Sequence, residues 1–324
     1  GLVGRATGSS PPTHISNSWA SGSVNATESG TTRAGGLVGA FFMGGNITAS
    51  NASGTVSGNG KQVGGLVGVN KGGIITDSTA SGAVTGKNYT GGLVGKVEML
   101  VNEDAAKPGS ISTSSASGTV KGTDNVGGLV GWTEGNVSTA TATGDVAGEA
   151  YTGGLVGYLE RGNTMNSQHY AITDSTASGK TTGTDYVGGL LGGTGNVPPP
   201  VESLPISIEN STATGDVVAT GDDIGGLVGE LDLDGDQVNN ATATGDVTGG
   251  NKTGGILGAI VEGVTVSQSY ATGPVNGIDE VGGIVGYSEG SINTSYATSS
   301  VAGTSDVGGL VGTLNTTGSV DEGY

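Results

Sequence analysis

The chain has 324 residues, 68 of them glycine, with no cysteine and only two tryptophans and two phenylalanines; 11 basic side chains face 29 acidic ones, for a net charge of −18. That balance excludes the basic footprint of a phosphate-binding protein, so nucleic acid is not an expected partner; it fits a solvated acidic surface, solubility at high salt, or cation binding. Disulfides cannot hold the fold, and no apolar run approaches the roughly 18 residues of a membrane-spanning helix.

The chain opens inside a motif, Gly1-Leu2-Val3-Gly4, rather than at Met, and shows no signal peptide, so a processed form or an excerpt of a longer precursor is expected. The same motif, typified by V-G-G-L-V-G at Val126–Gly131, returns along the chain with its first apolar residue at Leu2, Leu37, Leu66, Leu93, Leu129, Leu155, Leu190, Leu227, Ile256, Ile284 and Leu310. Successive gaps never fall below 26 residues and reach 37. A fixed floor with occasional extension marks a stacked repeat with loop insertions.

A second motif, S-x-A-[S/T]-G-x-V, lies between copies of the first, as in Ser78–Val84 and Ser211–Val217. From its alanine to the next Leu or Ile the spacing is 13 in seven of ten cases, whereas the other half of the unit varies from 13 to 23. Nearly all insertions therefore fall along one edge of the stack. In the second motif Ser211, Ala213, Gly215 and Val217 alternate with Thr212, Thr214 and Asp216, which reads as one strand with its small residues inward. V-G-G-L-V-G is too rich in glycine for a helix and reads as a second strand, with Leu and Val on opposite sides. Turn chemistry at Gly122–Asn125 and Gly183–Tyr186 completes a unit of two strands and two turns.

Such a unit cannot bury its own face, so units must stack. The expectation is an all-β fold: a parallel β-solenoid of ten to eleven repeats with a minimal coil of 26 residues, occupying 1–324 as a single array. At about 4.8 Å per coil the rod is roughly 50 Å long. No polar cap is visible at either end, and open sheet edges template further pairing, so copies of the chain are the expected partners, joined head to tail or laterally.

The string G-G-L-V-G, with G-G-L-L-G at Gly188–Gly192, G-G-I-L-G at Gly254–Gly258 and G-G-I-V-G at Gly282–Gly286, resembles the GLUG repeat. That resemblance covers practically the whole chain. It implies a secreted or surface-anchored bacterial or archaeal protein, of the kind found in adhesins and beside surface peptidase domains. It carries over no catalytic residue.

The residues themselves offer little catalysis. The two histidines, His14 and His169, sit in insertions, and neither H-E-x-x-H, G-x-S-x-G nor a phosphate-binding Gly-Lys motif occurs. A non-enzymatic protein is expected. Asp232, Asp234 and Asp236, with Gly235 to allow a tight turn, resemble part of an oxygen-ligand calcium loop, though Asn240 and Thr244 stand where an EF-hand would place its glutamate. Ca²⁺ is thus the one candidate ion. Acids before the glycine pair (Asp124, Asp185, Asp222, Asp223, Asp279, Glu280, Asp306) would stack near 5 Å apart and are expected to splay outward. Ten N-x-[S/T] sequons, at Asn25, Asn46, Asn51, Asn88, Asn136, Asn210, Asn240, Asn251, Asn293 and Asn315, fit an exposed extracellular surface. The expected function is an extracellular structural protein that assembles into a sheath, filament or layer. The alternatives are an adhesin stalk, whose binding tip could be the Pro198–Pro200 insertion, and an ice-binding solenoid. The threonine rank for the last, as in Thr141 and Thr143, is interrupted by Trp19, Asn51, Tyr270 and Tyr296.

Overall fold

The computed structural model describes residues 1–7, 12–42, 44–101, 106–160, 169–195 and 204–323. It contains no helix among them; the chain winds as a parallel β-solenoid in which each residue of a coil pairs with its counterpart in the next. One coil serves for all. Ladder A is Val130–Thr133, ladder B Gly135–Ser138, ladder C Thr141–Ala142, ladder D Val146–Ala147 and ladder E Ala150–Gly153. Ladders A and B each run through eleven strands and ladder C through ten. In the coils at Val24–Gly35 and Val56–Gly64 the D and E runs fuse into single long strands.

The coil therefore has five straight segments rather than two strands. The second motif keeps the expected alternation: Ser211, Ala213 and Val217 are buried, while Thr214 and Asp216 are exposed. It does not stay one strand, because the chain turns a corner at its glycine. A β-carbon on Gly215 would overlap the Gly179 carbonyl of the preceding coil, and Gly179 stands likewise on Gly144. Only a residue without a side chain lets successive corners sit this close.

V-G-G-L-V-G also departs from the simple reading. Leu129 and Val130 are both fully buried, and both lie in one large core bounded by ladders A, B and C. The change of side falls across the glycine pair instead: Val126 belongs to a smaller core, with Val120 and Val146, between ladders D and E. A bend at Gly128–Leu129 turns two consecutive apolar side chains inward. The cross-section thus has two lobes joined at a waist.

Two corners use a left-handed residue that is not glycine. One precedes ladder C, as at Thr113 (φ 48), Thr139 (φ 49) and Asn210 (φ 51); the other falls inside ladder E, as at Asn125 (φ 53) and Tyr186 (φ 54). At most of the first corners a buried serine follows, with Ala140 and Ala241 as the exceptions. The Ser78 hydroxyl donates to the Thr76 carbonyl (2.8 Å) and accepts the Ser50 N–H (3.2 Å), and Ser114 repeats this for Ser78. The larger insertions all open between ladders A and B, along one edge, as the spacing implied.

Candidate functional site

The most differentiated surface is a cleft between ladders A and E. Its first wall is the outward column of ladder A, where Lys96, Trp132, Tyr158, Gly193 and Glu230 are consecutive rungs. Its second wall is the left-handed column of ladder E, including Tyr89, Asn125, Tyr151, Tyr186, Asp223 and Lys252. The left-handed residue breaks the strand alternation: Asp124 and Asn125 both stay partly exposed while Val126 is buried. This is why the column can carry large side chains on a coil that is otherwise small.

The upper half of the cleft is aromatic. The Tyr151 and Tyr186 rings stack with centroids 4.6 Å apart and planes 6° from parallel, and Tyr158 meets Tyr151 edge-on at 5.0 Å. Gly193 leaves room for this group, since a β-carbon there would stand 3.2 Å from Tyr151 Cδ1. Lys96 Nζ lies 4.1 Å from the Trp132 ring centre and 5.0 Å from that of Tyr89, a cation–π arrangement that holds two coils together. Burial, reinforced by Tyr186 and the acids beyond it, pushes the Tyr151 hydroxyl up to about 12.

The lower half is charged. Lys252 Nζ lies 3.5 Å from Asp223 Oδ1 and 5.5 Å from the Tyr287 ring centre. Burial raises the Asp223 carboxyl above its ordinary range against the pull of Lys252, with Asp222 and Asp185 adding to the rise. Burial acts to lower Lys252, but Asp223, Glu230 and Glu280 outweigh it and hold the ammonium above its usual value. Tyr287 Oη donates to Glu289 (2.6 Å), and Asn315 Nδ2 donates to both (2.8 Å each). The Lys252 and Asn315 contacts cross from coil to coil, so these cleft side chains act first as braces.

Ladder C presents a second surface. Its outward column reads Trp19, Asn51, Thr79, Ser115, Thr141, Thr176, Thr212, Thr242, Tyr270, Tyr296. Trp19 is 77% exposed. The aromatic residues stand at the two ends of the column, leaving six hydroxyl rungs uninterrupted between them.

The three aspartates singled out for calcium are placed apart in role. Asp232 is half-buried and accepts from Thr194 Oγ1 at 2.9 Å; Asp234 is exposed; Asp236 is buried, and its Oδ1 accepts the Ile206 N–H at 2.9 Å. Among the described residues no three Asp, Glu, His or Cys side chains converge on a point that could hold a metal ion. The acids expected to splay into solvent have another use. Asp185 Oδ1 accepts the Asp222 N–H (2.9 Å), and Asp222 Oδ1 accepts the Asn251 N–H (3.3 Å). Asp145 does the same for Lys180, and Asp216 for Asp246. A carboxylate that accepts a backbone N–H of the following coil relieves the repulsion between stacked acids without an ion. Sequence reading missed this because it weighs side chains against side chains.

All ten sequon asparagines are exposed or half-buried. They lie on several faces: Asn25 on ladder D, Asn46 and Asn136 on ladder B, Asn51 on ladder C, and Asn210 and Asn240 at the left-handed corner, where Asn240 Nδ2 donates to Asn210 Oδ1 at 2.8 Å. His14 sits on ladder B, and exposed His169 lies 3.4 Å from the Pro205 carbonyl. Pro198–Pro200 lie outside the described residues. No helix in the described residues is long and apolar enough to cross a membrane.

The family model of the GLUG motif matches residues 59–85 and 183–218, each spanning the run from one ladder E or D corner into the next. A stretch of 54 residues is 52% identical to halomucin of Haloquadratum walsbyi, covering 16% of this chain and 1% of halomucin. The chain thus spans a very small part of the curated relative it matches. No solved structure matches it. The G-G-L-V-G string returns in register from coil to coil, and the two passages that the family model matches carry the GLUG motif.

Proposed function

We propose that this chain is a non-enzymatic, extracellular structural protein whose coils associate, end to end or laterally, into a sheath, filament or layer. The observation that carries the reading is the repeat itself: ladders of eleven, eleven and ten parallel strands stack like coils in register on a core of small and branched apolar residues. Coils that are all built alike can pair with a further coil, from the same polypeptide or from another copy, through the same backbone hydrogen bonds. The acidic surface, the accessible sequons and the likeness to a protein named halomucin support an extracellular setting.

Negative-stain microscopy of the purified chain across a salt series tests the proposal. Filaments, rings or sheets are the expected result. Dispersed short rods at every ionic strength would overturn self-association and favour a second reading, a segment of a long stalk. That reading draws on the small fraction of halomucin that the chain matches. Peptide mass spectrometry of material from the native surface tests the extracellular setting, with glycan on the exposed sequons Asn25, Asn51 and Asn136 as the expected result.

A further inference from the structure

Basic and acidic residues are segregated along the axis of the solenoid. Eight of the 11 basic residues but only five of the 29 acidic ones precede Gly122. The division is sharpest on one edge, the outer side of ladder D and its corner with ladder E. Six consecutive rungs of ladder D, at Val56, Val84, Val120, Val146, Thr181 and Val217, run along that edge. The first three coils carry exposed Lys61, Lys87 and Lys121 there. The next three carry Asp145 and Glu149, then Asp185, then Asp216 and Asp222. Asp124 and Lys180 are the exceptions: Asp124 accepts from Asn88 Nδ2 at 3.3 Å, and Lys180 stands between Asp145 and Asp216 in its own column. Among the described residues Lys61, Lys87 and Lys121 take part in no ion pair. The edge is also even. From the ladder D rung to the buried residue of ladder E each of the six coils takes six or seven residues, and the long insertions open elsewhere, between ladders A and B.

We propose that this edge is a self-recognition surface, on which two copies of the chain lie side by side and antiparallel about a two-fold axis. The proposal rests on the self-association argued above and gives it a lateral geometry. An axis between the rungs of Val120 and Val146 sets each basic coil of one copy against an acidic coil of the other. Lys121 then faces Asp145 and Glu149, Lys87 faces Asp185, and Lys61 faces Asp216 and Asp222. A parallel arrangement would set like charge against like along the whole edge. A two-fold contact uses the same patch on both copies, and opposed charges fix its register. The axis passes at a shallow depression lined by Thr119, Lys121, Asp145, Lys180 and Thr182, which leaves room there for side chains of both copies. Salt decides when the contact forms. At about 0.01 M the screening length is about 30 Å, and two chains of net charge −18 repel as wholes. At about 0.15 M it is about 8 Å, so distant acids no longer oppose the pairing while charges in contact still attract. At about 1 M it is about 3 Å, and the contact charges are screened too. Association is therefore greatest at intermediate salt.

Sedimentation velocity of the full chain across that salt range tests the proposal. The expected result is side-by-side association at about 0.15 M that is lost at both extremes. Lys61→Glu, Lys87→Glu and Lys121→Glu combined should weaken it at least about tenfold with the circular dichroism unchanged. A second chain carries Glu149→Lys, Asp185→Asn and Asp222→Asn, which keeps an acceptor oxygen for the Asp222 and Asn251 N–H groups. It should be weakened likewise, and mixing the two variant chains should restore association, because each half of the contact again opposes unlike charges. Association that persists undiminished in both variants overturns the proposal and leaves self-association standing. Two weakened variants that fail to pair when mixed also overturn it. A wild-type chain that is monomeric at every salt concentration overturns the pairing and the self-association reading together, and binding of polylysine by that monomer would assign the acidic rungs to a basic partner instead.

Discussion

Gly128 and Ala142 stand face to face across the waist of the coil. A β-carbon on Gly128 would lie 3.0 Å from that of Ala142 and would overlap the Gly154 carbonyl of the next coil. The same relation holds in nine coils, from Gly36 with Ala52 to Gly283 with Ala297, at 2.7–3.1 Å. The glycine of one motif and the alanine of the other are thus two halves of a single contact. Gly128→Ala should cost about 3 kcal/mol or more, because the obstruction is backbone that cannot step aside. Gly22→Ala, with nothing within 4 Å of its β-carbon, is the control and should stay within about 0.5 kcal/mol. Urea melts of the two variants check this.

The serine column yields paired predictions of opposite sign. Ser78→Ala strips the buried Ser50 N–H of its acceptor and should destabilise by about 1–3 kcal/mol. At Ala140, as at Ala241, the column is interrupted, and the Ser114 N–H faces a methyl group where the Ser50 and Ser78 N–H groups face a hydroxyl; Ala140→Ser should stabilise by about 0.5–1.5 kcal/mol. Thermal unfolding of the two single variants distinguishes the signs.

Left-handed corners filled by β-branched residues carry strain that glycine would remove. Thr113, Thr139 and Thr294 all have φ near 49°. Thr139→Gly should stabilise by about 0.5–1 kcal/mol, the relief of the left-handed conformation being partly offset by the freer unfolded chain. A rise in melting temperature checks it; a fall would show that the threonine makes a contact worth more than its strain.

These features mark what the sequence reveals and what it hides. The 26-residue floor, the inward face of the second motif and the insertion edge follow from spacing alone, because stacking forces equivalent residues into equivalent places. The small core between ladders D and E does not. Its corner is made by Tyr89, Asn125, Tyr186, Asp223 or Lys252 in the left-handed conformation, and no shared residue type announces it. The turn at Gly215 is hidden for a related reason: the alternation of buried and exposed residues continues straight through it. At the cleft, the periodicity of Lys96, Trp132, Tyr158 and Glu230 is present in the sequence, but only the pairing register shows that they share one wall.

Asp223 should leave a signature in the pH dependence of stability. Burial raises its folded pKa above the unfolded value, so the folded state binds the proton more tightly. Its contribution is therefore most favourable below the ordinary carboxylate pKa and declines as pH rises through that value to the raised one. Asp223→Asn removes this contribution. The stability difference between acidic and neutral pH should shift in the variant toward relatively greater stability at neutral pH, measured by urea melts at both. An unchanged difference would mean that Asp223 titrates as it does in the unfolded chain.

The in-register stacking of coils is the claim on which the rest stands, and the absence of native cysteine makes it directly measurable. Thr141 and Thr176 are paired rungs of ladder C, and adjacent strands lie about 4.8 Å apart, within the Cα separation a disulfide spans. Thr141→Cys combined with Thr176→Cys should oxidise readily to an intrachain disulfide in the folded protein. Thr141→Cys combined with Thr212→Cys, two coils apart and therefore about 10 Å distant, should not. Failure of the first pair, or equal oxidation of both, would contradict the solenoid.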